Sequence, residues 1–158
     1  MSDFERRLGA LGLTLPEVIP PVATYLPAVR SGDHVYVSGQ VPLREGRLIA
    51  TGRLGDTVSV ERGYECARQC ALNALAALKA EIGDLATVAR VVKALVFVAS
   101  TADFTRHPQV GDGASDLLRE LFGDAGRHAR SAVGVSALPL NAPVELELLV
   151  ELGRPAHG

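Results

Sequence analysis

The sequence predicts an α+β fold in which two helices lie on one face of a mostly antiparallel sheet, in the order ββαβαββ. Two segments carry apolar residues at steps of three and four, which is typical of amphipathic helices. Five other segments alternate apolar and polar residues or are apolar throughout, as strands are. No linker or repeat divides the chain, so we expect a single domain over residues 1–158.

The N-terminal region combines a short helix with an extended segment. The residues DFERRLGALGL are expected to form the helix, which Gly12 ends. Proline removes a backbone donor and disfavours helix at the residue before it, so the next segment should run extended across a surface. Its prolines are Pro16, Pro20, Pro21 and Pro27.

A first hairpin is expected in HVYVSGQVPLREGRLIATG, where two strand-like runs flank Arg44-Glu45-Gly46. Successive side chains of a strand point to opposite faces. Val35 and Val37 should therefore share the buried face. The other face should carry His34, Tyr36 and Ser38.

The clearest helix is SVERGYECARQCALNALAALKAEIGDL, which Ser59 can cap and Gly83 can end. Its many alanines suit close packing on a sheet. Cys66 and Cys70 stand one turn apart on it, a placement at which a helix seldom allows a disulfide. We therefore expect two buried thiols.

The segment VARVVKALVFVAS is apolar on both parities apart from Arg90 and Lys93, which predicts a central strand covered on both faces. A loop and a second helix follow. That helix is expected from about Ala114 to Phe122, with Gly123 closing it.

The last two strands, ARSAVGVSAL and VELELLVEL, carry the charged residues of interest. In the final strand one parity is apolar and should meet the helices, which leaves Glu145 on the helix-free face. In the preceding strand Val133 and Val135 are taken as the buried set, which leaves Arg130 on that same helix-free face. This face has small and apolar residues, so we expect another subunit to cover it.

Arg130 and Glu145 allow two interpretations from their chemistry alone. They can form a solvated or interfacial ion pair. Alternatively, the planar guanidinium can bind a carboxylate ligand through two donors, and the glutamate can position a water or move a proton.

Three stretches of the chain resemble the Rid (YjgF-like) family, whose members were also called L-PSP endoribonucleases. The resemblance lies in YLPAVRSGDHVYVSGQVPL, in VVKALVFVAS followed by DF, and in ARSAVGVSALPLNAPVELELLVEL. It runs from about Tyr25 to Glu151. We therefore divide the domain into an N-terminal extension at 1–20, a family core at 21–152 and a tail at 153–158.

The resemblance implies a chorismate-mutase-like fold assembled as a homotrimer with three clefts between subunits. It also implies hydrolytic deamination of 2-imino or 2-enamino acids to 2-keto acids and ammonia, without a cofactor. Arg130 matches the arginine that holds the substrate carboxylate, and Glu145 the glutamate associated with the attacking water. Tyr25 and Ser38 match the other two site positions, and the Ala132 N–H is a further donor.

The prediction requires Arg130, Glu145 and Tyr25 to meet in one cleft, and opposite sheet faces for the first two would contradict it. The chain also departs from the family pattern. Ala132 stands in place of the family's cysteine, and ATYLPA replaces GPYSQA. The asparagine often found at the second helix has no clear equivalent, with Asp112 or Ser115 nearest.

Other functions are less well supported. With 16 basic and 18 acidic residues and no basic run, nucleic acid is an unlikely partner, so an endoribonuclease is a weak alternative. A non-catalytic protein that binds a small carboxylate is the main alternative. No metal-ligand spacing joins the cysteines with His34, His107, His128 or His157. With no signal peptide or membrane span apparent, a cytoplasmic protein is expected.

Overall fold

The computed structural model describes residues 1–154 and contains three α-helices and seven strands within them. The helices are α1 (Asp3–Ala10), α2 (Val60–Ile82) and α3 (His107–Phe122). The strands are β1 (Ala28–Ser31), β2 (His34–Gln40), β3 (Leu43–Arg44), β4 (Arg47–Leu48), β5 (Val88–Ala99), β6 (Ala129–Val135) and β7 (Val144–Leu152). Part of the predicted tail, residues 155–158, lies outside the described residues.

Five strands form one sheet in the order β1-β2-β7-β5-β6. Only the β5–β6 pair is parallel, so the predicted α+β fold with a mostly antiparallel sheet is confirmed. Helices α2 and α3 pack on one face of this sheet. The core lies between them and the apolar parity of β7, namely Val144, Leu146, Leu148, Val150 and Leu152.

Helix α2 forms as its sequence predicts. Ser59 caps it by accepting a hydrogen bond from the Arg62 N–H at 3.1 Å, and Gly83 ends it with a φ of 85°. Its small residues lie fully buried against the sheet and α3, among them Ala67, Ala71 and Ala74. Short side chains let the helix backbone approach the sheet closely.

The first hairpin differs from the prediction. In the structure β1 pairs with β2 across the turn at Gly32, whose φ is 62°. The predicted turn at Glu45-Gly46 exists, but it joins β3 to β4 in a separate two-stranded sheet. Pro27 stands directly before β1 and made the segment look merely extended, although an edge strand tolerates an adjacent proline.

Helix α3 begins at His107, seven residues before the predicted start near Ala114, and ends at Gly123 as predicted. Pro108 lies in its first turn, where a missing N–H costs no helical hydrogen bond. Gly111 and Gly113 concealed this part of the helix, because glycine lowers helix propensity. The structure uses Gly113 for a close approach to the Tyr64 backbone of α2.

Strand β5 lies inside the sheet, between β7 and β6. Val91, Val96 and Val98 on its helix side are fully buried. Leu95 and Phe97 on the other side are only partly buried within this chain. Within one chain, β5 is therefore fully covered on its helix side only, whereas the sequence predicts that both of its faces are covered.

Candidate functional site

Arg130 lies against helix α3. Its Nη1 donates to Asp112 Oδ1 at 2.9 Å and to Ser115 Oγ at 3.1 Å, and its Nη2 donates to the Pro108 carbonyl at 3.3 Å. Ser115 Oγ also lies 2.9 Å from His128 Nε2. We call these four side chains, Arg130, Asp112, Ser115 and His128, the Arg130 cluster.

The strand register separates Arg130 from Glu145. Arg130 is level with Ala94 on β5, which is level with Leu148 on β7, and Leu148 is buried on the helix side. Glu145 is level with Phe97, three residues further along β5. Since side chains alternate along a strand, residues three apart point to opposite faces. The expectation that Arg130 and Glu145 share the helix-free face is therefore wrong.

The error lies in the parity assigned to β6. The sequence predicts that Val133 is buried, yet Val133 is 43% exposed on the helix-free face. Strand β6 is an edge strand with small or apolar residues on both parities, so alternation does not identify its buried side. Ala132 packs partly against the core on the side of Arg130.

Glu145 lies on the helix-free face, next to β2. A Cβ at Gly39 would collide with its carboxylate, so the glycine leaves room for the Glu145 side chain beside β2. Burial raises the pKa of Glu145, and the nearby charge of Glu147 raises it further. A carboxyl with a raised pKa is better able to exchange a proton near neutral pH than an ordinary glutamate.

Ser38 and the segment of Tyr25 lie near Glu145 in the chain's fold. The Ser38 hydroxyl donates to the Leu26 carbonyl at 2.6 Å, which ties residues 25–27 to β2. Gly39, the neighbour of Ser38, contacts Glu145. Tyr25 itself is 56% exposed. The structure therefore ties the segment of Tyr25 to Ser38 and places Glu145 beside the neighbouring Gly39. Arg130 lies on the other face of the sheet, on the same side as Ala132.

The sequence indicates Asp112 and Ser115 only as the positions nearest to a missing asparagine, and it assigns no partner to His128. The three join because Asp112 and Ser115 are three residues apart on one helix face, opposite the start of β6. A predicted helix that began at His107 would have placed Asp112 and Ser115 on one helix face.

The cysteines do not contribute to the site. Cys66 and Cys70 are both free and buried, as expected. Burial raises the pKa of Cys66 to about 11, and that of Cys70 well above its ordinary value. Thiols in this state are poor nucleophiles.

Residues 1–154 contain no group of three histidine, cysteine or acidic side chains placed to hold a metal ion. Over the same residues, each helix is too short or too polar to cross a membrane.

Comparison with known proteins identifies relatives over nearly the whole chain. Protein TCP17 of Trypanosoma cruzi is 46% identical and the match covers 92% of this chain and 91% of that protein. A 2-iminobutanoate/2-iminopropanoate deaminase of Dermatophagoides farinae is 31% identical, with 87% and 93% covered. The crystal structure of protein Atu1372 from Agrobacterium tumefaciens superposes with a TM-score of 0.90 at 43% identity, with 96% and 93% covered.

A family model described as "YjgF/chorismate_mutase-like, putative endoribonuclease" matches residues 5–152. This range contains every element of the fold except the first residues of α1. It also contains both the Arg130 cluster and Glu145. The chain therefore belongs to the YjgF/chorismate-mutase-like family.

Proposed function

We propose that this protein hydrolyses small 2-imino or 2-enamino acids to 2-keto acids and ammonia, in clefts that two copies of the chain build together. The observation that carries the proposal is the Arg130 cluster, a partly exposed guanidinium held in place by α3. The activity named for the 31% identical deaminase supports the reaction type.

Arg130 is suited to anchor a substrate carboxylate. Its bonds to Asp112, Ser115 and Pro108 use three of its five N–H donors. Within residues 1–154, one donor on Nε and one on Nη2 have no partner. A guanidinium with two remaining donors binds a carboxylate in a defined orientation, whereas a lysine would act only as a point charge.

The cleft predicted from the sequence, with Arg130 and Glu145 on one face of one chain, is contradicted because the two residues lie on opposite faces of the sheet. The proposed site therefore takes its two parts from two copies of the chain. Arg130 and the Ala132 N–H would come from one subunit, and Glu145, Ser38 and Tyr25 from the next. The helix-free face favours such contact, since it exposes Tyr36 by 54% and Val133 by 43%. We propose a homotrimer, in agreement with the family resemblance.

The chemistry needs no cofactor. An imine carbon is already electrophilic, so orientation by Arg130 and a correctly placed water supply most of the effect. Glu145, with its raised pKa, would hold that water and accept its proton. Ala132 in place of a cysteine is compatible with this scheme, because water attacks the imine directly.

The reaction is tested by generating 2-imino acids with an amino-acid oxidase and trapping the surviving imine with semicarbazide. The wild type should accelerate imine loss, and Arg130→Ala should lower kcat/KM on the order of 100-fold, the loss of one charge-assisted carboxylate anchor. Arg68→Ala is the matched control, since it breaks another 2.9 Å arginine–carboxylate pair, with Glu120, away from β6.

Sharing of the site between subunits is tested by mixing two inactive variants, Arg130→Ala and Glu145→Gln. In mixed trimers some clefts receive a native Arg130 from one subunit and a native Glu145 from the next. Activity should return to roughly a quarter of wild type at equal amounts. No recovery, with mixed trimers present, contradicts the shared cleft.

The main alternative is a protein that binds a small carboxylate without turnover. It also requires Arg130, but it predicts no imine hydrolysis, and Glu145→Gln would leave 2-oxobutanoate affinity unchanged. An endoribonuclease, the activity in the family's description, predicts RNA binding that weakens steeply with salt.

A further inference from the structure

The Arg130 cluster is a chain of hydrogen bonds whose directions are fixed. His128 Nδ1 lies 2.7 Å from the Gly126 carbonyl, which can only accept, so Nδ1 carries a hydrogen. In neutral His128, Nε2 is then an acceptor, and the Ser115 hydroxyl donates to it across 2.9 Å. Ser115 Oγ in turn accepts from Arg130 Nη1.

We propose that His128 and Ser115 form a proton relay that delivers a proton to the departing nitrogen of the substrate bound at Arg130. This inference rests on the proposed function and assigns a general acid to it. Ser115 is the group that would touch the substrate, and His128 acts through it. The relay would stand opposite the water held by Glu145 of the neighbouring subunit.

The relay acts at the second step of hydrolysis, when the carbinolamine formed by water addition breaks down. The C–N bond breaks, and its electron pair goes to nitrogen. Nitrogen takes the Ser115 proton, and Ser115 takes the proton on His128 Nε2. Glu145 has by then released the proton that it took from the attacking water and is again a carboxylate. The carbinolamine hydroxyl becomes the carbonyl as its proton passes to Glu145, which returns it to solvent, and ammonia leaves. His128 is then neutral and regains a proton from solvent.

The charges around the relay support this role. Arg130 and Asp112 form an ion pair beside Ser115, so protonated His128 adds one positive charge next to a balanced pair. Asp116, the next residue on α3, accepts a hydrogen bond from the Tyr64 hydroxyl at 2.8 Å and is already engaged. When His128 is protonated, Nε2 donates to Ser115, and the serine hydroxyl becomes free to donate to a ligand.

Ser115 is not placed to act as a nucleophile. It lies in the middle of α3, where backbone N–H groups are used by the helix and cannot form an oxyanion hole. Its hydroxyl already has Arg130 as donor and His128 as acceptor. This arrangement is suited to passing a proton.

A second serine–histidine pair, between Ser100 after β5 and His107 at the start of α3, provides a matched control. Ser100 Oγ lies 3.1 Å from His107 Nε2, near Gly134 at the other end of β6. Ser100 is buried, and the pair has no bond to Arg130. Ser100→Ala therefore removes the same kind of contact without touching the Arg130 cluster.

The test compares kcat and KM for imine hydrolysis across pH in wild type, Ser115→Ala, His128→Gln, Ser115→Thr and Ser100→Ala. The wild-type kcat should fall as pH rises, because the relay requires a proton on Nε2 of His128. Ser115→Ala and His128→Gln should lower kcat on the order of 100-fold and lose this pH dependence, with KM within about twofold. Ser115→Thr, which keeps the hydroxyl, and Ser100→Ala should retain the wild-type profile.

Two outcomes overturn the relay while leaving the proposed function intact. One is a wild-type pH profile in Ser115→Ala and His128→Gln. The other is an increase in KM that accounts for the whole loss of kcat/KM in these variants. Ser115 and His128 would then act only by holding Arg130 in position. Absence of turnover in wild type contradicts the proposed function itself. In that case ring ¹⁵N NMR still tests the hydrogen-bond chain, because neutral His128 must carry its proton on Nδ1.

Discussion

Glu145 is a proposed site residue whose carboxyl group is costly to ionise in the folded protein. Burial and the charge of Glu147 raise its pKa above the ordinary value of 4.5. The folded protein therefore binds this proton more tightly than the unfolded chain. Ionisation must then reduce the free energy of unfolding.

We expect Glu145→Gln to change the pH dependence of stability. In wild type, the Glu145 contribution is neutral below the unfolded pKa of about 4.5 and becomes unfavourable as pH rises through the higher folded pKa. The glutamine variant should gain stability relative to wild type over this window. Urea unfolding at several pH values measures the difference.

Glu147→Gln serves as a graded comparison in the same experiment. It removes the second cause of the shift but leaves burial, the larger cause, in place. The free energy of unfolding should therefore depend less steeply on pH than in wild type, but the dependence should not disappear. If the stability of Glu145→Gln depends on pH in the same way as that of wild type, ionisation of Glu145 does not destabilise the fold.

At the scale of elements, the contact between α2 and α3 depends on one glycine. A Cβ at Gly113 would collide with the Tyr64 carbonyl oxygen, which belongs to the α2 backbone and cannot move without moving the helix. Since α3 also carries Asp112 and Ser115, this contact positions the Arg130 cluster.

Gly113→Ala should lower the free energy of unfolding by about 1–3 kcal/mol or more through overpacking. It should also reduce the affinity for 2-oxobutanoate, because α3 has to shift. Gly9→Ala is the control, since it lies in helix α1 with no atom within 4 Å of the new Cβ. That variant should be more stable by roughly 0.5–1 kcal/mol, from helix propensity alone. Equal effects on stability at the two positions would contradict the close contact.

At the scale of the whole molecule, the helix-free face carries apolar side chains that one chain leaves exposed or half-buried. Besides Tyr36 and Val133, it carries Leu95, Phe97 and Leu149, which are partly buried within one chain. A monomer would leave these residues in water. The homotrimer remains a prediction, as does the cytoplasmic location.

Val133→Asp should convert the assembly to monomers, because a charge would have to be buried between subunits. Light scattering coupled to size-exclusion chromatography measures the mass. Leu140→Asp, at a 69% exposed position outside the sheet, should leave the mass unchanged. Imine hydrolysis should disappear with the trimer, while circular dichroism shows an intact fold. A Val133→Asp variant that stays trimeric contradicts this interface.

The sequence predicted those elements whose local signals agree. Helix α2 has a cap, an apolar stripe and a terminal glycine, and β7 alternates apolar and acidic residues except at Leu149, so both formed as expected. The start of α3 and strand β1 were missed, because glycine and proline there indicate a local break. In the folded protein, Gly113 allows helix α3 to pack closely on α2, and Pro27 stands directly before the edge strand β1.

By itself, the sequence determined the order of the main elements and the buried face of β7, and it supplied the residue types on which the proposed carboxylate site rests. The tertiary structure alone decided which side of β6 carries Arg130. That strand is apolar on both parities, and only its pairing with β5 and the bonds to α3 fix its orientation. For the same reason, the partnership of His128 with Ser115 and Arg130 emerges only when α3 is packed against the strand.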